Sequence, residues 1–256
     1  MSHKVYFLGA GPGDPDLLTR RADRLLSECS VVYVPPLYEQ PFAEFLDGKE
    51  LFVPFEFYFA DLIALIKEQL TNGPVAFLVP GDLTFYSPFQ AIVDALGDLA
   101  VVVPGVGTAN AASALLKKTL DLPGVCSRAI LASPRTLGDG PDAPTMGDFA
   151  TPGVSLLIYM NNMPLAELVG QLREGYGSDV PMALAHRVGL PDEEIIVATL
   201  DTIVERVGSR DFFNLDKSSP RPALTLLLVG ESLTADADPA WWDYRRDTIW
   251  KYQDNS

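Results

Sequence analysis

Three short glycine-bearing runs hold the residues of this chain that could do chemistry. Gly9-Ala10-Gly11-Pro12-Gly13-Asp14-Pro15-Asp16-Leu17-Leu18-Thr19 follows the apolar run Val5-Tyr6-Phe7-Leu8. Pro80-Gly81-Asp82 follows Val75-Ala76-Phe77-Leu78-Val79, and Pro104-Gly105-Val106-Gly107-Thr108 follows Val101-Val102-Val103. Each reads as a strand ending in a tight turn, where glycine lets another group approach the backbone. Loops after the carboxyl ends of parallel strands form the ligand crevice of an open sheet, so three such loops predict one binding site. Asp82 is there either a helix N-cap or an acceptor for a ligand. The first run departs from the dinucleotide fingerprint Gly-x-Gly-x-x-Gly, because its sixth position is Asp14. A carboxylate there would repel a pyrophosphate at a helix N-terminus, which argues against a nicotinamide-dependent dehydrogenase. The Gly-Lys-Ser/Thr of a phosphate-binding Walker loop is absent.

Other catalytic kits are missing as well. Of the two histidines, His3 is near the terminus and His186 ends a predicted strand, a structural position more often than a catalytic one. There is no Cys/His cluster with metal-ligand spacing, no Gly-x-Ser-x-Gly elbow and no kinase set. Hydrolysis, metal chemistry and phosphoryl transfer are therefore disfavoured. A fold that binds and aligns two reactants needs none of these groups, because proximity supplies much of the acceleration.

The elements that must position the loops alternate along the chain. The first run leads into a helix carrying Leu18, Ala22, Leu25 and Leu26 at helical spacing, with Asp14 and Asp16 around Pro15 as its N-cap and first turn. A strand over 31–34 ends at Pro35-Pro36. The stretch 37–59 is rich in aromatics (Tyr38, Phe42, Phe45, Phe52, Phe55, Phe57, Tyr58 and Phe59), which read as ordinary core and loop packing or as the lining of a pocket for a large flat ligand. A helix over 61–70 closes at Asn72-Gly73-Pro74. The unbroken apolar run 75–79 predicts a parallel strand covered on both faces, a pattern that 101–103 repeats. A small-residue helix over 109–114 follows. Pro, Gly and Asp punctuate 121–148, which reads as a domain junction with one strand over 129–132. Strands over 154–160, 181–186, 194–198 and 223–229 then alternate with helices over 164–174 and 202–207, a pattern for a mixed sheet. The fold class is thus α/β with two domains, 1–120 and 121–236, and a tail over 237–256 whose Trp241-Trp242-Asp243-Tyr244-Arg245-Arg246 suits a docking helix or a dimer contact.

Composition narrows the partners. Of 256 residues, 19 are basic and 34 acidic, and the net charge of −15 disfavours nucleic acid. A local cation can still meet an anionic ligand. Cys29 and Cys126 lie in or beside apolar runs and are expected to be buried free thiols. No apolar run approaches the ~20 residues of a membrane span. No leader pattern precedes the first strand, so a soluble cytoplasmic protein is expected.

The three loops, in this order and spacing, resemble the tetrapyrrole methylases of cobalamin and sirohaem synthesis, over roughly residues 4–230. The run 9–19 is similar to their N-terminal signature, Pro80-Gly81-Asp82 to their Gly-Asp-Pro loop, and Val103-Pro104-Gly105-Val106 to their Pro-Gly-Val turn. The resemblance implies a mostly parallel N-terminal sheet, a mixed C-terminal sheet, an active site in an interdomain cleft, and a homodimer. It implies S-adenosylmethionine as cofactor, leaving as S-adenosylhomocysteine, with contacts at Pro12, Pro80, Gly81, Asp82, Phe85, Gly107, Thr108, Met160 and Val188. Leu122-Pro123, Ile158-Tyr159-Met160-Asn161-Asn162 and Gly189-Leu190-Pro191-Asp192-Glu193 look most like the carbon-11 methyltransferases of precorrin-4 or cobalt-precorrin-4. Val34-Pro35 and Phe85-Tyr86-Ser87 look more like the carbon-20 enzymes, so the methylated carbon stays open, as does a non-corrinoid substrate. The chain departs from the pattern at Leu83 and Gly107, which motivates a second class of function: a protein that binds cofactor or tetrapyrrole without turnover. An anionic tetrapyrrole needs local cations, and Arg135 and Arg187 head a list that includes Arg20, Arg21, Arg24 and Arg128. No metal site and no catalytic base are assigned.

Overall fold

Among the residues described, 3–138, 140, 142–217 and 223–250, the computed structural model places ten strands in two five-stranded sheets. The chain divides into two compact units, residues 1–111 with 187–193, and residues 112–186 with 194–256.

The first unit holds β1 (Val5–Gly9), β2 (Val31–Tyr33), β3 (Glu50–Phe52), β4 (Val75–Val79) and β5 (Ala100–Val103), in the order β3-β2-β4-β1-β5. Every pair is parallel. Helices cover both faces, as a parallel sheet requires. One core joins Leu8, Val32, Ala76 and Leu78 to α1 (Arg20–Ser27), α2 (Pro36–Glu39) and α3 (Ala43–Leu46). The other joins Val5, Phe7, Tyr33, Val75 and Phe77 to α4 (Phe59–Gln69) and α5 (Gln90–Leu96). The central strand β4 is buried along its whole length, as its unbroken apolar run predicts. The similar run in β5 lies at the sheet edge instead, and Val102 is 42% exposed.

One row of this sheet is aromatic across four strands. Phe52 pairs in register with Tyr33, Tyr33 with Phe77, and Phe77 with Phe7. Their rings stack at centroid distances of 5.3, 4.3 and 4.9 Å. Burial pushes the Tyr33 phenol up to about 12, against a hydrogen bond to Gln69 that works the other way.

Sequence and structure differ locally in this unit. Asp14 caps a single 3-10 turn, Pro15–Leu17, and Thr19 caps α1 by accepting from the Ala22 N–H at 3.1 Å. Leu18 is extended between them, so the helix has to begin again. The stretch 37–59 contains the strand β3 and two one-turn helices, and α5 follows Pro88.

The second unit holds β6 (Arg128–Ala132), β7 (Val154–Tyr159), β8 (Pro181–His186), β9 (Glu194–Thr199) and β10 (Thr225–Val229), ordered β6-β7-β10-β8-β9. The β6–β7 pair is parallel and the others are antiparallel, which makes the sheet mixed. Its core is largely aliphatic: Leu156, Ile158, Met182, Leu184, Leu227 and Val229 pack against α7 (Leu165–Tyr176) and α8 (Ile203–Val207). The helix α6 (Thr108–Leu116) spans the boundary between the units in sequence. Cys29 and Cys126 are buried and free. The tail forms α9 (Ala240–Arg245), whose Trp242 is 78% exposed. Among the described residues no helix is long and apolar enough to cross a membrane.

Candidate functional site

The strand order gives the first unit a topological switch point. From β1 the chain crosses over β4 to reach β2, while from β4 it crosses over β1 to reach β5. The loops leaving β1 and β4 therefore diverge, which in open α/β sheets is where a ligand crevice forms. These are the loops 9–13 and 80–82.

The third loop joins them. Ala10 N–H donates to the Val79 carbonyl at 2.8 Å, and Gly11 and Gly81 exchange two hydrogen bonds, Gly11 N–H to Gly81 O at 3.0 Å and Gly81 N–H to Gly11 O at 2.8 Å. A Cβ added at Gly105 would lie 2.6 Å from the Gly9 carbonyl carbon and oxygen and closer still to the Gly81 carbonyl oxygen. One added at Gly9 would run into the Gly105 nitrogen. The backbones of all three loops are in contact, and only glycine permits it. Gly11 and Gly81 also need glycine for their φ of +73° and +65°.

Side chains finish this junction. Tyr38, on α2 and 2% exposed, donates from its hydroxyl to Gly11 O at 2.8 Å. Asp82 caps a turn and no helix: its carboxylate accepts from Thr84 N–H at 2.9 Å and from Thr84 Oγ1 at 3.2 Å, whereas α5 begins only at Gln90. Leu83, at the position where the family pattern has proline, packs on the core beneath. Gly107 O accepts from Asn110 N–H at 3.0 Å and Ala111 N–H at 3.1 Å, which makes Gly107 the residue before the first turn of α6 and Thr108 the first residue in it. A Cβ on Gly81 would lie 3.9 Å from Gly107 Cα and from Thr108 N and Oγ1, so loops 80–82 and 105–108 present bare backbone and one hydroxyl to each other. Pro80 and Phe85 are exposed.

A fourth segment of the first unit, 187–193, packs on the signature run. A Cβ at Gly13 would meet Leu190 Cδ2 at 2.6 Å, and one at Gly189 would lie 2.8 Å from Asp14 N and 3.2 Å from Pro12 Cγ. Val188 is buried. Glu193 accepts from Gly189 N–H at 2.7 Å, and Arg187 Nε donates to Asp192 Oδ1 at 2.6 Å. A shallow cleft of about 430 Å³ opens between Gly13, Pro15, Gln40, Leu190, Pro191 and Glu193. A larger depression, about 570 Å³, lies beside the edge strand β9 at Val197, Thr202 and Arg206, and none of the motif residues lines it.

The second unit carries the remaining candidates. Met160 follows β7 with φ +49°, a conformation that side-chain-bearing residues rarely hold. Next to it Asn161 donates to the Met163 carbonyl at 2.7 Å, which fixes the amide and leaves Oδ1 buried with no hydrogen-bond partner. Ser133, which follows the neighbouring strand β6, has a buried Oγ in the same condition. His186 is held by its neighbours: Thr225 Oγ1 gives its one hydrogen to the Phe212 carbonyl at 2.5 Å, so at 2.7 Å His186 Nδ1 must donate to Thr225. Of the six candidate arginines, Arg20, Arg21, Arg24, Arg128 and Arg135 are exposed, and Arg187 is engaged with Asp192.

Tyr38 and the orphaned Ser133 had no motif to mark them, while Asn161 and Glu193 lay in runs that the resemblance covered without a role of their own. The aromatic stretch sorts itself: Tyr38 and Phe42 are buried, Phe52 extends the ring row, and Phe55, Tyr58 and Phe59 are 64%, 86% and 51% exposed.

Residues 4–204 match the family model described as Tetrapyrrole (Corrin/Porphyrin) Methylases. The chain belongs to this family. Among its tetrapyrrole-methylase relatives is a precorrin-4 C(11)-methyltransferase of Pseudomonas aeruginosa, 33% identical over 237 residues that cover 91% of each chain. A cobalt-precorrin-4 C(11)-methyltransferase of Methanocaldococcus jannaschii is 27% identical over 252 residues, 96% of this chain and 92% of that one. In structure, the fold matches a cobalt precorrin-4 methyltransferase with a TM-score of 0.73 over 91% of this chain and 96% of that chain, at 21% identity. It also matches a uroporphyrin-III C-methyl transferase of Thermus thermophilus complexed with S-adenosyl homocysteine, with a TM-score of 0.65 at 26% identity, over 90% of this chain and 98% of the other. The two-unit α/β architecture, one sheet parallel and the other mixed, is that of the tetrapyrrole methylases.

Proposed function

We propose that this protein is an S-adenosylmethionine-dependent C-methyltransferase acting at carbon 11 of precorrin-4 or cobalt-precorrin-4. The observation that carries the reading is the backbone junction of the three glycine loops at the switch point of the first sheet. The names of the two C(11)-methyltransferase relatives supply the carbon and the substrate.

The residues present fit the cofactor. The absent side chains at Gly81 and Gly107 leave a backbone cradle beside the Thr108 hydroxyl, and Pro12 and Val188 stand at the neighbouring contact with 187–193. Gly81, Asp82, Gly107 and Thr108 would hold the cofactor, with Pro80 and Phe85 on the exposed side of the same loop. Met160 belongs to the second unit and is assigned on the resemblance, and the orphaned Asn161 Oδ1 beside it is an acceptor suited to an N–H donor.

When bound, the cofactor supplies an electrophilic methyl group on a sulfonium. No catalytic base is assigned among this chain's own residues. Carbonyl oxygens stabilise the ground-state charge, and bare glycine backbone brings them close. The Asp82 carboxylate, tied to Thr84, holds the shape of its turn and adds negative potential near the cradle. Most of the work left to the protein is alignment of two bound reactants. Arg135, exposed on the turn after β6, is the contact proposed for substrate carboxylates, and the Arg187 guanidinium would have to share itself between them and Asp192.

Calorimetric titration with S-adenosylhomocysteine tests the cofactor assignment. Micromolar binding to the wild type, weakened at least ten-fold in Asp82→Ala, is the expected result, and no binding to the folded protein overturns it. Incubation with precorrin-4 and S-adenosylmethionine should then add the mass of one methyl. Cofactor binding without that gain on any corrinoid intermediate would leave a binding protein. The same reading makes the molecule a cytoplasmic homodimer, for which the exposed Trp241, Trp242 and Trp250 offer a contact surface and light scattering the measurement.

A further inference from the structure

We propose that Tyr38 is a positioning residue of the cofactor site, its phenol clamping the two glycine loops that leave β1 and β4. The inference rests on the cofactor reading above and extends it to a residue that touches no reacting atom.

The contact between those loops is thin. Gly11 and Gly81 form a single isolated bridge beyond the ends of their strands, and both glycines are in left-handed conformations. A lone bridge between glycines opens easily, since neither residue has a side chain to pack, and ligand-binding loops are drawn from the least stable parts of a fold. Tyr38 adds the missing anchor. Its hydroxyl donates to the same carbonyl, Gly11 O, that receives Gly81 N–H, and both bonds measure 2.8 Å. Burial pushes the Tyr38 phenol well above its ordinary pKa, so it stays protonated and remains a donor to Gly11 O.

The anchor itself is rigid. Tyr38 sits on α2, its own N–H donates to the Pro35 carbonyl at 2.8 Å, and its ring packs on Phe42 at 5.4 Å in a fully buried cluster. Pro35 and Pro36 start this one-turn helix, with Pro36 at its first position, where the fixed φ of proline is already helical. The effect at the site is preorganisation: Gly81 and Asp82 are held in place before the cofactor arrives, which removes an ordering cost from binding.

Tyr38→Phe tests this cleanly, because the ring stays and Gly11 O keeps its bond from Gly81 N–H, so no buried group is orphaned. The expected results are a five- to ten-fold loss of S-adenosylhomocysteine affinity, a KM for S-adenosylmethionine raised by a similar factor with kcat little changed, and at least ten-fold faster hydrogen exchange of the Gly81 amide. The control is Leu46→Ala, which opens the same core at α3 and leaves the Tyr38–Phe42 ring contact and the loops in place. It should lower the melting temperature more than Tyr38→Phe does and leave affinity within two-fold. Unchanged affinity and unchanged Gly81 exchange in Tyr38→Phe would show that the phenol serves the core alone, and the inference falls. If the wild type binds no S-adenosylhomocysteine, the cofactor reading falls instead, and the exchange rate of Gly81 still decides whether Tyr38 clamps the loops.

Discussion

Two loop systems of the first unit do the same job by opposite means. At the junction of 9–13, 80–82 and 104–108, backbone meets backbone and no side chain fits between. In 187–193, side chains hold the backbone: Arg187 grips Asp192, and Glu193 takes the Gly189 N–H. The first arrangement is intolerant of any added atom and therefore spells itself out in glycines. The second needs one close glycine, Gly189, and otherwise rests on charged side chains, whose pairing the sequence does not spell out.

The largest effect should come from Gly105→Ala. Its methyl would collide with carbonyl oxygens of two other loops, none of which has a flexible side chain to move aside. A loss of about 3 kcal/mol or more in urea unfolding is expected, or no folded protein. A loss below about 1 kcal/mol would mean that the junction is soft, and the contrast with 187–193 would collapse. Gly124→Ala separates the two costs of losing a glycine, since φ is +78° there but nothing lies within 4 Å of the added carbon. That change should cost only about 1–2 kcal/mol.

The side-chain-held segment should respond more gently. Glu193→Ala removes the acceptor of Gly189 N–H and is expected to cost about 1 kcal/mol by the same unfolding measurement. Asp192→Asn should cost less still, at most about 1 kcal/mol, because Asp192 is 62% exposed. Raising the salt from 0.1 to 1 M should shrink the difference between Asp192→Asn and wild type, and a penalty that survives the salt would point to geometry instead of charge.

The smallest effect is a pH dependence that appears only in alkaline solution. Burial pushes the Cys29 thiol up to about 12 from an ordinary value near 9, so the folded state holds this proton more tightly than the unfolded chain. The corresponding stability is fully present below pH 9 and drains away as the pH climbs toward 12. The buried Tyr33, Tyr38 and Tyr176 act in the same direction. Cys29→Ala should therefore flatten the fall of melting temperature between pH 9 and 10.5, and an unchanged slope would assign that fall to the tyrosines.

Much of the architecture could be read from local pattern. The continuous run of β4, the bounds of β8 and the three glycine turns all show in neighbouring residues. Partners distant in the chain did not show. β3 is three residues, Glu50-Leu51-Phe52, half exposed at an edge, with no periodicity to detect. The exposure of Val102 follows from its place at the edge of the sheet, and strand order is set by crossovers that no single segment encodes. The aromatic row is of the same kind, since Phe7, Tyr33, Phe52 and Phe77 are unremarkable one by one and meet only through register. At the candidate site, Asp82 could be picked out as important but its work in a turn could not, because its partner Thr84 is one of several polar neighbours. Tyr38 was one aromatic among eight until its hydroxyl was seen on Gly11.

The placement of 187–193 bears on how the protein is made. Leu190 lies against Gly13 and Gly189 against Pro12 and Asp14, so the last pieces of the first unit are synthesised long after its final strand, β5. While the ribosome is still adding β6, β7 and β8, the signature run waits without its cover. Contacts of such wide sequence separation form late. A nascent chain halted before residue 187 would carry all five parallel strands and still lack the groups that pack on Pro12 and Gly13. Competence of the first unit is thereby tied to translation of most of the second, and a truncated product cannot pass for a finished one.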